Sequence, residues 1–145
     1  MTGSAYSGCF VCGQDNPLGL HLDARSENGQ AQAKLTVRES FAGYPGIVHG
    51  GVTTALLDEI MVKAIEGLGS AVVTASLEVK FRQTVPTGVE LLLQARVLKQ
   101  GERIFRAAGE LYLPDGTLAA EASGTFVKAP GQIMVEAAGS TQVGK

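Results

Sequence analysis

Two acids stand side by side in the run "GIVHGGVTTALLDEIM", residues 46–61, twelve residues after its opening Gly46 and downstream of His49, Gly50 and Gly51. Projected at helical spacing, Glu59 lines up with Lys63 and Glu66 and reads as a solvated face carrying a weak ion pair. Asp58 falls instead among Thr54, Ala55, Met61, Val62 and Ile65, on the apolar side. A carboxylate there loses hydration, which costs several kcal/mol or more unless something compensates. Asp is also a poor residue for the third turn of a helix. Two readings follow: a structural Asp58 hydrogen-bonded to Thr54 or to a partner subunit, or an Asp58 that does chemistry.

His49, Gly50 and Gly51 supply the second half of a possible reaction centre. Glycines at a helix start let a ligand approach the backbone closely, and the free N–H groups of the first turn suit a developing negative charge. That is the requirement of an oxyanion hole. The plain structural reading is a sterically demanding turn after "YPGIV". Gly50 and Asp58 are eight residues apart, about 12 Å along a helix axis, too far for one carbonyl group to touch both. If both serve one reaction, Gly50 of one subunit must face Asp58 of another, which requires at least a two-fold dimer.

Several elements must position these residues. "LHLDARSENGQAQAKLTV" alternates around Asn28-Gly29, the signal of a tight hairpin, and predicts strands over 19–26 and 30–38. A loop rich in Gly and Pro, "RESFAGYPGIV", leads into a helix over 50–68 that "GLG" ends. Four strand-like runs follow, "AVVTASLEVKF", "VELLLQARVLKQ", "RIFRAAGELYL" and "LAAEASGTFVK". Their short connections "PTG", "QGE" and "PDG" suggest a meander of antiparallel neighbours. The helix is apolar nearly all round, so a sheet must curl around it, an α+β arrangement.

The chain has 145 residues, a net charge of −2 and 45% hydrophobic residues. This is one domain, 1–145, with frayed ends over 1–8 and 132–145. It carries no basic footprint for nucleic acid, no stretch long enough to span a membrane and no signal-like start, which places it in the cytoplasm. Cys9 and Cys12 are the only cysteines. Their C-x-x-C spacing fits a redox pair, half of a zinc site with His21 and His49 as further donors, or two small apolar residues; the expectation is no metal.

Taken together, these features resemble the hotdog-fold acyl-CoA thioesterases, in particular those similar to phenylacetate-pathway thioesterases. The likeness rests on "GYPGIVHGG" entering the helix, with an acid eight residues after the first Gly of the pair. It runs from "CFVCGQDNPLGLHL" to "GTFVKAP", and "VKFRQTVPTGVELLLQARVLKQG" resembles that family's strand pair. The resemblance implies a hotdog fold, a curved antiparallel sheet wrapped around one long central helix. It also implies hydrolysis of an acyl-CoA to a free acid and CoA, with no cofactor, in a homodimer or homotetramer. Asp58 would be general base or nucleophile, the Gly50 N–H, helped by Gly51, the oxyanion donor, and His49 an orienting group. Related enzymes often carry an amide where this chain has Gly43, and some carry a hydroxyl after the helix at a position matching Gln83, beside Thr84. Gln83 and Thr84 are thus expected near the water. Among Lys80, Arg82, Lys99, Arg103 and Arg106, we name Arg82 and Arg103 for the CoA phosphates. Leu57, Met61, Phe81 and Tyr44 are expected to line the acyl pocket.

Two rivals remain. "DNPLGLH" superficially suggests a hydratase, but Asp15, Asn16 and His21 have the wrong spacing for that pattern. A non-catalytic acyl-CoA or ligand-binding module on the same scaffold is the other. Asp58 argues against it, because a pure acyl pocket has no use for a carboxylate.

Overall fold

The structure, a computed structural model, describes residues 6–130. The tail expected to fray from 132 onward, and residues 1–5 of the start expected to do so, lie outside the described residues. At the start, Ser7 and Gly8 are tied down, their carbonyls accepting from the Asp15 N–H at 3.0 Å and the Asn16 side chain at 3.1 Å.

The central element is helix α1, Gly50–Glu66. His49 caps its start through the side chain, and at its end Gly69 turns the chain away at a φ of +94°, a conformation open to glycine. Six strands surround it: β1 (Arg25–Glu27), β2 (Gln30–Thr36), β3 (Val72–Phe81), β4 (Glu90–Gln100), β5 (Ile104–Tyr112) and β6 (Leu118–Lys128). They form one antiparallel sheet in the order β1-β2-β4-β5-β6-β3. The helix packs against all six strands, so the sheet curves around it as the all-round apolar pattern requires. Leu56, Leu57, Ile60, Met61, Ala64 and Ile65 are fully buried against Phe105, Leu111 and Phe126. Where the helix crosses β5 and β6 the sheet offers Ala107, Ala119 and Ala120, also fully buried, whose small side chains make room for it.

The hairpin forms at Asn28-Gly29, with both residues at positive φ (56° and 76°) as a tight two-residue turn demands. Three expectations change. The first strand is short, laddered only from Arg25. Before it, the Leu20 and Leu22 N–H groups bond to the Phe10 and Val11 carbonyls, and His21 between them takes a φ of +59° that breaks the alternation. Secondly, β3 and β4 are not neighbours. Residues 82–89 cross over instead, because Val85 and Pro86 pair with the segment entering the helix: the Val48 N–H donates to the Val85 carbonyl at 2.7 Å, and Ile47 bridges Pro86. This leaves β3 at the sheet's edge, paired only with β6.

The third correction concerns the supposed solvated stripe. Lys63 is 2% exposed and Glu59 15%, with Lys63 Nζ at 3.6 Å from Glu59 and 3.2 Å from Glu66. The cause is the N-terminal loop, whose buried Val11 and Cys12 belong to the same core as the helix. Helical periodicity shows which residues share a face, and it cannot show what a distant loop lays over that face.

Candidate active site

Four groups at the start of α1 decide what the helix terminus can do. The Gly51 N–H donates to His49 Nδ1 at 2.8 Å. The Val52 and Thr53 N–H groups both reach the His49 carbonyl, at 2.9 and 3.0 Å. Among the described residues the Gly50 N–H has no hydrogen-bond partner, and Gly50 is exposed. Of the two glycines, then, Gly50 presents the open donor, while Gly51 is spent on orienting His49. Because Nδ1 accepts, the neutral His49 ring carries its proton on Nε2 and presents a donor outward. Thr54 turns its hydroxyl to the Gly50 carbonyl at 2.9 Å, so it is not the partner of Asp58.

Asp58 is half-buried, and its Oδ1 accepts from the Thr74 hydroxyl at 2.7 Å. Burial pushes its carboxyl above the ordinary range, and the Thr74 bond opposes that rise. Thr74 comes from β3 at a bulge, where the pairing with β6 slips between Thr74 and Ser76. The bulge changes which residues face the helix. Val72 packs on the core before it, Leu77 and Val79 after it, so Thr74 shares the inward parity of Val72. The hydroxyl beside the carboxylate is therefore Thr74, which sequence reasoning missed in favour of the Gln83 position. Its signal was present in "VVTASLEVKF": the apolar phase shifts by one residue across "TAS".

Gln83 and Thr84 lie exposed in the crossover after β3, the Gln83 N–H donating to the Ala119 carbonyl. Arg82 is committed to Glu121, through Nε at 2.8 Å and a terminal nitrogen at 2.6 Å. Arg103 is exposed. Of the residues expected to line a pocket, Leu57 and Met61 are core, whereas Tyr44 and Phe81 are 77% and 54% exposed. The Phe81 ring stands at the helix start, 3.8 Å from where a Cβ on Gly50 would sit. A Cβ on Gly43 would come to 3.4 Å from His49, so the missing amide leaves space beside that ring. A concavity of about 840 Å³ opens elsewhere, between β1, β2 and β4, and includes neither Asp58 nor Gly50.

On the far side of the loop, Cys9, Cys12 and Glu59 bring their ligand atoms within 4.8 Å of one another. Burial pushes the Glu59 carboxyl up to about 7. A hydrogen bond from the Cys12 thiol holds Cys9 down at about 5, and the same bond raises Cys12. His21 takes no part: its Nε2–H donates to the Asn16 carbonyl at 2.6 Å.

Residues 45–120, just over half of the chain, match the family model described as "Thioesterase superfamily". The chain belongs to this superfamily. The match spans the helix, Asp58 and Thr74, and leaves the cysteine loop outside. Acyl-coenzyme A thioesterase THEM4 of Bos taurus is 30% identical over 87 residues, 59% of this chain and 35% of that protein. The chain thus covers only about a third of that relative's length. The solved protein RHA08564, of the same superfamily, superposes with a TM-score of 0.78 at 28% identity over 84% of this chain and 61% of the other. A hypothetical thioesterase protein from Streptococcus pneumoniae TIGR4, solved with coenzyme A, superposes at 0.69 and 20% identity, over 72% of this chain and 82% of that one. It has also been solved with an aspartate and with a threonine replaced by alanine. These neighbours share the single helix and curved sheet of the hotdog fold.

Proposed function

We propose that the protein hydrolyses the thioester of an acyl-CoA in the cytoplasm, in a site shared by two subunits. The observation that carries this reading is the pairing of a half-buried Asp58, fixed by Thr74 on the edge strand, with an open Gly50 N–H on the same helix. Thr74 occupies Oδ1, which leaves Oδ2 to take a proton from water. The water oxygen then adds to the thioester carbon, and the Gly50 N–H of the partner subunit receives the charge that develops on the carbonyl oxygen. Collapse breaks the C–S bond, and CoA leaves as the thiol with the proton that Asp58 returns. If Asp58 instead attacks directly, the same donor holds the oxyanion while the C–S bond breaks and CoA leaves as the thiolate, and water then hydrolyses the acyl anhydride to release the acid and Asp58. In this reading the Nε2–H of His49, whose ring Gly51 holds through Nδ1, orients the substrate.

The S. pneumoniae protein supports the pairing. The replaced aspartate and threonine in its two variants stand sixteen positions apart, the separation of Asp58 and Thr74 here. Its coenzyme A supports the substrate class. The two-subunit site is supported by the about 12 Å of helix between Gly50 and Asp58. The edge of β3 supports it too, since Val73, Thr74, Ala75 and Ser76 are all exposed and the strand has one free side. A second copy pairing there yields a dimer, and two such dimers a tetramer.

Complementation tests the shared site. Asp58→Asn removes the base. Gly50→Pro removes only the N–H, at a helix position where proline is tolerated. Each variant alone is expected to be inactive on acyl-CoA. Co-expressed and purified as a mixed dimer population, they should recover about a quarter of wild-type activity, because half the dimers carry one intact site of two. A site built within one chain recovers nothing, and that result would overturn the proposal.

A further inference from the structure

The cluster beneath the N-terminal loop has no part in this chemistry. Cys9 and Cys12 belong to a tight turn, "CFVCG", that winds its backbone around the sulfurs. The Cys12 N–H donates to Cys9 Sγ at 3.4 Å, and the Gly13 N–H donates to the Cys9 carbonyl at 2.8 Å. The turn admits no side chain at Gly13, where a Cβ would lie 2.3–2.5 Å from backbone atoms of Ser7 and Cys9. Asn16 closes it, bonding Gly8 and the Leu18 N–H through its side chain. Both sulfurs are thereby held on one side of a rigid loop, opposite Glu59 on the helix. The three ligand atoms lie within 4.8 Å of one another, close to the spacing three donors keep around a tetrahedral ion.

We infer that Cys9, Cys12 and Glu59 form a binding site for one divalent zinc-like cation, which joins the N-terminal loop to the central helix. Two thiolates and a carboxylate select a borderline-soft ion, Zn²⁺ before Mg²⁺ or Ca²⁺. Charge agrees. The ionised ligands carry three negative charges against the one positive charge of Lys63, which Glu66 also shares, and a divalent ion offsets that negative excess. Glu59 has two oxygens, so it can keep Lys63 while it ligates. With three protein ligands, a water completes the coordination. The role is structural: residues 6–24 have no ladder of their own, and metal binding stabilises a loop that has little secondary structure to hold it.

Cobalt titration of the whole chain, kept reduced with a phosphine, tests the inference. One equivalent of Co²⁺ per chain is expected to give intense near-ultraviolet thiolate-to-cobalt absorption, which Zn²⁺ then displaces, and Zn²⁺ should raise Tm. Cys12→Ser should abolish the absorption. Glu59→Gln, nearly isosteric, should keep a thiolate band while weakening Zn²⁺ by about tenfold or more, at least what losing an outer-shell partner costs. Absence of the band in the wild-type chain would overturn the assignment. So would a band that survives Cys12→Ser, or Zn²⁺ affinity unchanged in Glu59→Gln.

Discussion

Replacing Asp58 by Asn separates chemistry from structure more cleanly than any other change. The amide has the same size, and its oxygen still accepts from the Thr74 hydroxyl that now lies 2.7 Å from Oδ1. What disappears is basicity. A positioned general base contributes about 10²- to 10⁴-fold, or about 3–5.5 kcal/mol of transition-state stabilisation. The kcat for acyl-CoA hydrolysis, followed by released CoA with a thiol-reactive dye, should fall by that factor. Stability should move the other way or not at all: burial already disfavours the ionised Asp58, and a neutral amide is relieved of that cost. Tm is therefore expected to equal or exceed that of the wild type. Turnover within about threefold of wild type would refute the catalytic assignment, since about 0.7 kcal/mol is too little for a lost base. A large loss of Tm together with activity would instead make Asp58 a structural residue.

Three further outcomes follow from the same geometry. Thr74→Val removes the hydroxyl that holds the Asp58 carboxylate in position; a misplaced catalytic group loses rate, so kcat should fall by about tenfold or more and recover in Thr74→Ser. Lys63→Met leaves Glu59 without its nearby cation in a largely closed environment and should cost about 3 kcal/mol in chemical denaturation, against less than about 0.5 for a solvated lysine. Glu39 accepts from the Thr87 hydroxyl at 2.7 Å and the Gly46 N–H at 3.1 Å, and these bonds hold its carboxyl below the ordinary range. Its stabilisation is complete above that range and is lost as pH falls through the lowered value; Thr87→Val should flatten this acid loss in Tm-against-pH curves, and parallel curves would contradict it.

Much of this was legible in the residues. Asn28-Gly29 could scarcely be anything but a hairpin turn, because two consecutive positive φ values suit few other pairs. A helix apolar on nearly every side had to be wrapped by a sheet, and the separation of Gly50 and Asp58 follows from helical rise alone. These are local facts, governed by sterics and periodicity within a few turns. The partner of Asp58 was not local. Thr74 faces the helix only because a bulge shifts the parity of β3, and that bulge is fixed by pairing with β6, fifty residues further on. Glu59 and Lys63 repeat the point, since they share a face with Glu66 by periodicity but are closed off by the N-terminal loop, which is distant from them in the chain. The neighbours of β3 were likewise settled by Val85 and Pro86, whose backbone bonds to the helix entry outweigh the short "PTG" connection. Sequence alone determined the elements and the acid that does not belong on its face, since both depend on energies of adjacent residues. Tertiary structure decided what stands beside each acid, because burial and hydrogen-bond partners are set by chain segments that meet only when the sheet closes around the helix.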